Sequence, residues 1–121
     1  MSNDDGLEYQ VPGTKLLFVS SLGDGMEINM KDNKIVRKHI IFWGRVQGVG
    51  FRYNSVYKAR QLGLVGWVKN MDDGSVEMEV QGREAEIDQL ILFLDRHLWI
   101  RIDTMNVQQI SVRPESEFVE M

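Results

Sequence analysis

The apolar run His39-Ile40-Ile41-Phe42-Trp43 shows no alternation, which predicts a strand covered on both faces and therefore central in a sheet. From Phe51 onward Ser55, Val56, Ala59 and Leu62 recur at helical spacing, and Gly63 is placed to end that helix. Val65 to Asn70 reads as a short strand and Met71-Asp72-Asp73-Gly74 as a turn. Val76, Met78 and Val80 then alternate with Glu77, Glu79 and Gln81, so a hairpin with one wet face is expected. The helical period returns at Ile87, Leu90, Ile91, Leu94 and Leu98, with Glu84 and Glu86 in the first turn and Arg96 and His97 near the last. Ile102 to Val112 predicts a long strand with an irregularity near Thr104, stopped by Pro114, and Phe118-Val119-Glu120 a short edge strand.

The order strand, helix, strand, strand, helix, strand defines an α+β fold: two helices packed on one face of an antiparallel sheet, the split βαβ arrangement. Such a fold hosts many functions and decides none. Within it Trp43 and Trp67 are expected in the core, and the carboxylates of Glu77 and Glu79 on a solvated sheet edge. His39 and His97 have no metal-ligand spacing and read as structural, and Asp72 and Asp73 as turn formers.

Residues 1–34 differ in character from the rest of the chain. A polar start, Pro12-Gly13, two short apolar runs and the turn Gly23-Asp24-Gly25 fit either a β-hairpin or a disordered extension, and Met30 is an alternative start. The chain therefore divides into an extension over 1–34 and a domain over 35–121.

Composition narrows the class. With 121 residues, 43% of them hydrophobic, the chain is sized for one core. There is no cysteine, which excludes a thiolate nucleophile or thiolate metal site and suits a reducing compartment. A net charge of -4 argues against a non-specific nucleic-acid partner. No apolar run approaches the roughly 18 residues of a membrane span, and Asn3, Asp4 and Asp5 stand where a signal peptide is basic. A cytoplasmic monomer with no membrane association is expected.

The candidate chemistry lies at Gly44-Arg45-Val46-Gln47-Gly48-Val49-Gly50-Phe51-Arg52, between the first strand and the first helix. Glycines let backbone N–H groups turn toward a ligand, and clustered amides at a helix start suit an anion. Arg52 adds a planar fork of donors for two phosphate oxygens. On spacing alone this is either a phosphate cradle or a plain tight turn followed by a solvated arginine.

The same loop, together with Gly66-Trp67-Val68-Lys69-Asn70 and Gly74, Ser75, Val76 and Gly82, resembles the two signature segments of the acylphosphatase family. The resemblance runs from about Lys38 to the C-terminus and implies a ferredoxin-like βαββαβ sandwich. It implies an enzyme that hydrolyses the carboxyl-phosphate anhydride of acyl phosphates without metal or cofactor. In that family's pattern Arg52 binds the substrate phosphate, Asn70 positions the attacking water, and the amides of Gly44, Arg45, Val46, Gln47, Gly48, Val49 and Gly50 hold the phosphate. The Arg45 side chain is expected to face solvent or a carboxylate. A carboxylate leaves readily as an anion, so the site needs no general acid, and a site lacking one selects against phosphomonoesters. One departure is Leu98-Trp99-Ile100-Arg101-Ile102, where many members carry a Gly-Pro-rich loop; Trp99 and Ile100 would cover the core or form an apolar lip for the acyl group. Two other readings remain: a non-catalytic phosphate or carbamoyl-phosphate binding module, and an RNA-binding domain, which the acidic charge disfavours.

Overall fold

A computed structural model describes residues 33–121. The hairpin or extension expected before them lies outside the described residues. Seven elements follow in order: β1 (Ile35–Arg45), α1 (Phe51–Leu62), β2 (Val65–Asn70), β3 (Val76–Arg83), α2 (Glu84–Asp95), β4 (Arg101–Ile110) and β5 (Phe118–Glu120). The strands form one sheet in the order β4-β1-β3-β2-β5. All neighbours are antiparallel except β2 and β5, which run parallel, so the sheet is mixed where an antiparallel one was expected.

Period-two alternation divides the sheet into a helix-covered face and an open one. Ile40, Phe42, Val68, Met78 and Val80 point to the helices and are fully buried against Ile87, Leu90, Ile91 and Leu94 of α2 and Phe51 and Ala59 of α1. Burying each large apolar side chain contributes about 1.5–3 kcal/mol, so this layer carries most of the fold's stability. α1 ends as its glycine predicts: Gly63 adopts a left-handed conformation, and the chain turns back through Leu64 N–H donating to the Ala59 carbonyl. α2 stops at Asp95, so Leu98, expected on its apolar stripe, is 82% exposed.

The open face corrects two expectations. Trp43 lies there and is 41% exposed, because the helices cover only the alternate positions of β1. Glu77 and Glu79 are on an interior strand, not an edge: β3 lies between β1 and β2. Glu79 accepts from the wholly buried Arg37 at 2.8 Å, and Glu77 pairs with His39 at 2.7 Å. Arg37 is buried because the β4–β5 connection crosses over it, with Glu115 at 2.9 Å from its guanidinium and Gln81 exchanging two hydrogen bonds with the Arg113 backbone. That crossing delivers β5 to the far side of β2.

The expected irregularity occurs at the top of β1. Trp43 opposes Thr104 but Gly44 opposes Ile102, so Asp103 is an extra residue in β4 and the bulge bends β1 toward the loop beyond it. Gly44 has φ 138° at this point, and a Cβ there would lie 2.2 Å from the Arg101 carbonyl oxygen and 2.8 Å from the Asp103 nitrogen. Gly44→Ala should therefore destabilise the fold by about 2–4 kcal/mol, through strain and forced separation of β1 from β4. Urea unfolding checks this: the midpoint should fall at constant m, whereas a midpoint kept within error would remove the close-approach argument.

Candidate active site

α1 starts directly from the cradle loop, and its first residue fixes the loop's position. Phe51 is buried with its ring 4.8 Å from that of Phe42, which pins the helix start above the end of β1. Gly50 is the N-cap, at φ 83°, and having no side chain it caps none of the helix's leading amides. The Gly50 carbonyl accepts from both the amide and the side chain of Asn54, at 3.0 and 2.8 Å. The first-turn N–H groups thus remain for an acceptor from outside the helix. Gly48 stands at φ 74° with nothing within 4 Å of where its Cβ would be. Its left-handed backbone faces open space, not a neighbouring chain segment.

That space is a hollow of about 150 Å³ lined by Val46, Gly48, Gly50, Phe51, Arg52, Tyr53, Asn70 and Glu120. At roughly 30 Å³ per water it has room for about five waters, enough for a phosphate group with a water beside it. Arg52 and Asn70, separated in sequence by a helix and a strand, meet here because β2 ends at the same end of the sheet where α1 begins. Asn70 faces the helix side, since it pairs with Val76 of the buried β3 row. Among the described residues its side-chain amide has no hydrogen-bond partner.

The cradle residues divide. Val46, Gly48 and Gly50 line the hollow; Gly44, Arg45, Gln47 and Val49 do not. Gly44 belongs to the bulge, and Arg45 is exposed with no ion pair among the described residues. Gln47 turns the other way: its side-chain amide donates to the Met71 carbonyl at 2.7 Å and the Ser75 carbonyl at 2.8 Å. These carbonyls belong to the turn after Asn70, which also closes on itself through Met71 N–H to the Ser75 oxygen and Gly74 N–H to the Met71 oxygen. The Ser75 hydroxyl and then its amide donate to the Asp73 carboxylate and hold it below the usual carboxylate range.

Two lining residues were not anticipated. Glu120 lies 3.2 Å from the Arg52 guanidinium, and the Met121 carbonyl accepts from the same nitrogen at 3.4 Å. A carboxylate therefore lines the site, paired with the arginine there. Its signal was present in the alternation of β5, where Phe118 enters the core and Glu120, two residues on, shares its face. Tyr53, 71% exposed, stands at the rim. Trp99 and Ile100 separate: Ile100 closes the core, while Trp99 is 61% exposed and does not line the hollow.

Elsewhere, a second hollow of about 300 Å³ shares Asn70 and is lined by Lys69, Met71, Asp72 and Asp73. A groove of about 380 Å³ between the helices, lined by Lys58, Gln89, Leu92, Phe93, Arg96 and His97, contains none of the candidate residues. Among the described residues no group of three or more His, Asp or Glu side chains is placed to hold a metal ion, and no helix is long and apolar enough to cross a membrane.

Fold and hollow together define a small two-layer α+β domain with an uncapped helix start, an arginine and an asparagine around one anion-sized space. The acylphosphatase family model matches residues 38–119, and the chain belongs to that family. It is 46% identical over 85 residues to an acylphosphatase of Geobacillus thermodenitrificans, spanning 67% of this chain and 87% of that one. Solved structures agree. An acylphosphatase from Bacillus subtilis superposes with a TM-score of 0.67 at 33% identity, covering 71% of this chain and 98% of the other. One from Coxiella burnetii gives 0.67 at 33% identity, with 72% and 93% covered.

Proposed function

We infer that the protein is an acylphosphatase, hydrolysing the carboxyl-phosphate anhydride of a small-molecule acyl phosphate to a carboxylate and inorganic phosphate. The observation that carries the site assignment is the meeting of Arg52 and Asn70 around the uncapped start of α1. The phosphate would rest on the amides of the Gly48 to Arg52 segment, with the Arg52 fork on two of its oxygens. Asn70, an amide that both donates and accepts but cannot serve as a base, would hold a water in line with the bond to be broken. The loose transition state of phosphoryl transfer needs positioning and charge stabilisation, which these groups supply without a covalent intermediate.

Bond cleavage leaves the electron pair on the carboxylate oxygen, a stable anion that needs no proton. The water's proton passes to a phosphate oxygen. Glu120, ion-paired with Arg52 at 3.2 Å, helps to orient the guanidinium; no donated proton is required of it. The acyl group would leave the hollow at its mouth, past the Tyr53 ring. We further propose a cytoplasmic monomer, a reading supported by a composition free of cysteine and acidic at net -4.

Phosphate release from benzoyl phosphate in the presence of a chelator tests the function. Chelator-resistant turnover, with no release from a phosphomonoester such as 4-nitrophenyl phosphate, is the expected result. A folded chain that binds inorganic phosphate yet releases none from benzoyl phosphate would instead be a phosphate-binding module.

A further inference from the structure

We propose that Gln47 is a positioning residue for Asn70, acting as a clamp between the phosphate loop and the turn that ends β2. This rests on the acylphosphatase reading above. Gln47 lies in the loop between Val46 and Gly48, both of which line the hollow, yet its own side chain points to the 71–75 turn. A carboxamide facing two carbonyl oxygens must present its NH2 to them, so the contact fixes which end of the amide faces the turn. Both donors are used, at 2.7 and 2.8 Å, on the first and last residues of the turn. Met71, one of the two, directly follows Asn70. The clamp therefore sets the backbone beside Asn70 relative to the Gly48 and Gly50 backbone, which is the distance between attacking water and phosphorus.

A purely structural role is a poorer account of this contact. The turn is already closed by two backbone hydrogen bonds of its own and by Asp73 with Ser75, so neither carbonyl depends on Gln47 to be satisfied. What Gln47 adds is the tie between two separately folded segments, one holding the phosphate and the other the water. A displacement of the order of 1 Å at such a junction costs up to about 100-fold in rate.

The test compares Gln47→Met, close in size but without donors, with wild type, in the presence and absence of Asn70→Ala. With benzoyl phosphate, Gln47→Met should lower kcat about 10- to 100-fold and change the inhibition constant of inorganic phosphate less than about 2-fold. In the Asn70→Ala background the same substitution should change kcat less than about 2-fold, because the residue it positions is gone. An equal loss in both backgrounds, or a loss expressed in phosphate binding with kcat kept, would show that Gln47 shapes the cradle and would overturn the proposal. An independent arm needs no turnover: the Asn70 side-chain amide resonances of the phosphate-bound full chain should move in Gln47→Met while the Gly50 amide, three residues from the substitution, keeps its own. Unmoved Asn70 resonances would sink the clamp. A wild type that hydrolyses no acyl phosphate would sink only the reading of function, leaving this arm to decide.

Discussion

Arg52→Ala is expected to weaken inorganic phosphate binding by about 2–3 kcal/mol, roughly 30- to 150-fold, with a matching fall in kcat/KM for an acyl phosphate. The lower part of the range for broken charge pairs applies because the Arg52 side chain is 36% exposed, so water screens part of its attraction. Its neighbour adds to the loss. With Arg52 gone, Glu120 would stand at the edge of the phosphate site with no guanidinium between it and the anion, and two like charges in one hollow repel. The double variant Arg52→Ala, Glu120→Gln should therefore bind phosphate more tightly than Arg52→Ala alone. Arg52→Lys should recover only part of the affinity, since an ammonium keeps the charge but loses the bidentate fork. Isothermal titration with phosphate at two salt concentrations measures all four proteins. Wild-type affinity in Arg52→Ala would mean that the amides alone hold the anion.

Most of the fold was legible in the sequence because its elements repeat simple periods. Val76, Met78 and Val80 alternate and are all fully buried; Ile87, Leu90, Ile91 and Leu94 follow a helical period and are buried too. The errors lie where a partner distant in sequence decides. Glu79 looked solvated because it alternates with the apolar residues of its strand, yet it pairs with Arg37 from another strand under the β4–β5 crossing. Trp43 looked buried because a run with no alternation implies two covered faces, whereas only one face of this sheet carries helices. Leu98 continued a helical period past the point where α2 ends.

The candidate site was legible in the same uneven way. Glycine and arginine spacing identified the loop between β1 and α1, but could not separate Gly44, which has no room for a Cβ beside β4, from Gly48, which faces open space. Gln47 was grouped with its neighbours because sequence carries no side-chain direction. The alternation of β5 puts Glu120 on the face of Phe118, but its place beside α1 depends on β5 running parallel to β2, a pairing that a three-residue strand does not announce.

Asn70→Ala should leave phosphate affinity within about 2-fold of wild type and lower kcat about 100- to 1000-fold, the scale for removing one positioned donor in a transition state. The separation of effects follows from where the two groups come from. Arg52 is on the first turn of α1 with the amides proposed to hold the anion, while Asn70 reaches the same hollow from the end of β2, and its amide has no partner among the described residues. On the proposed roles, losing Asn70 would remove the group that orders the water and leave every proposed donor to the phosphate in place. Asn70→Asp offers the converse: nearly the same shape, but a carboxylate beside a dianionic phosphate, so binding itself should weaken. Steady-state kinetics with benzoyl phosphate, paired with the inhibition constant for inorganic phosphate, separate the two. If Asn70→Ala lost phosphate affinity as heavily as Arg52→Ala, Asn70 would be a ligand of the phosphate and the water would have to be held elsewhere. The Tyr53 hydroxyl and the Glu120 carboxylate would then be the lining groups left to hold it.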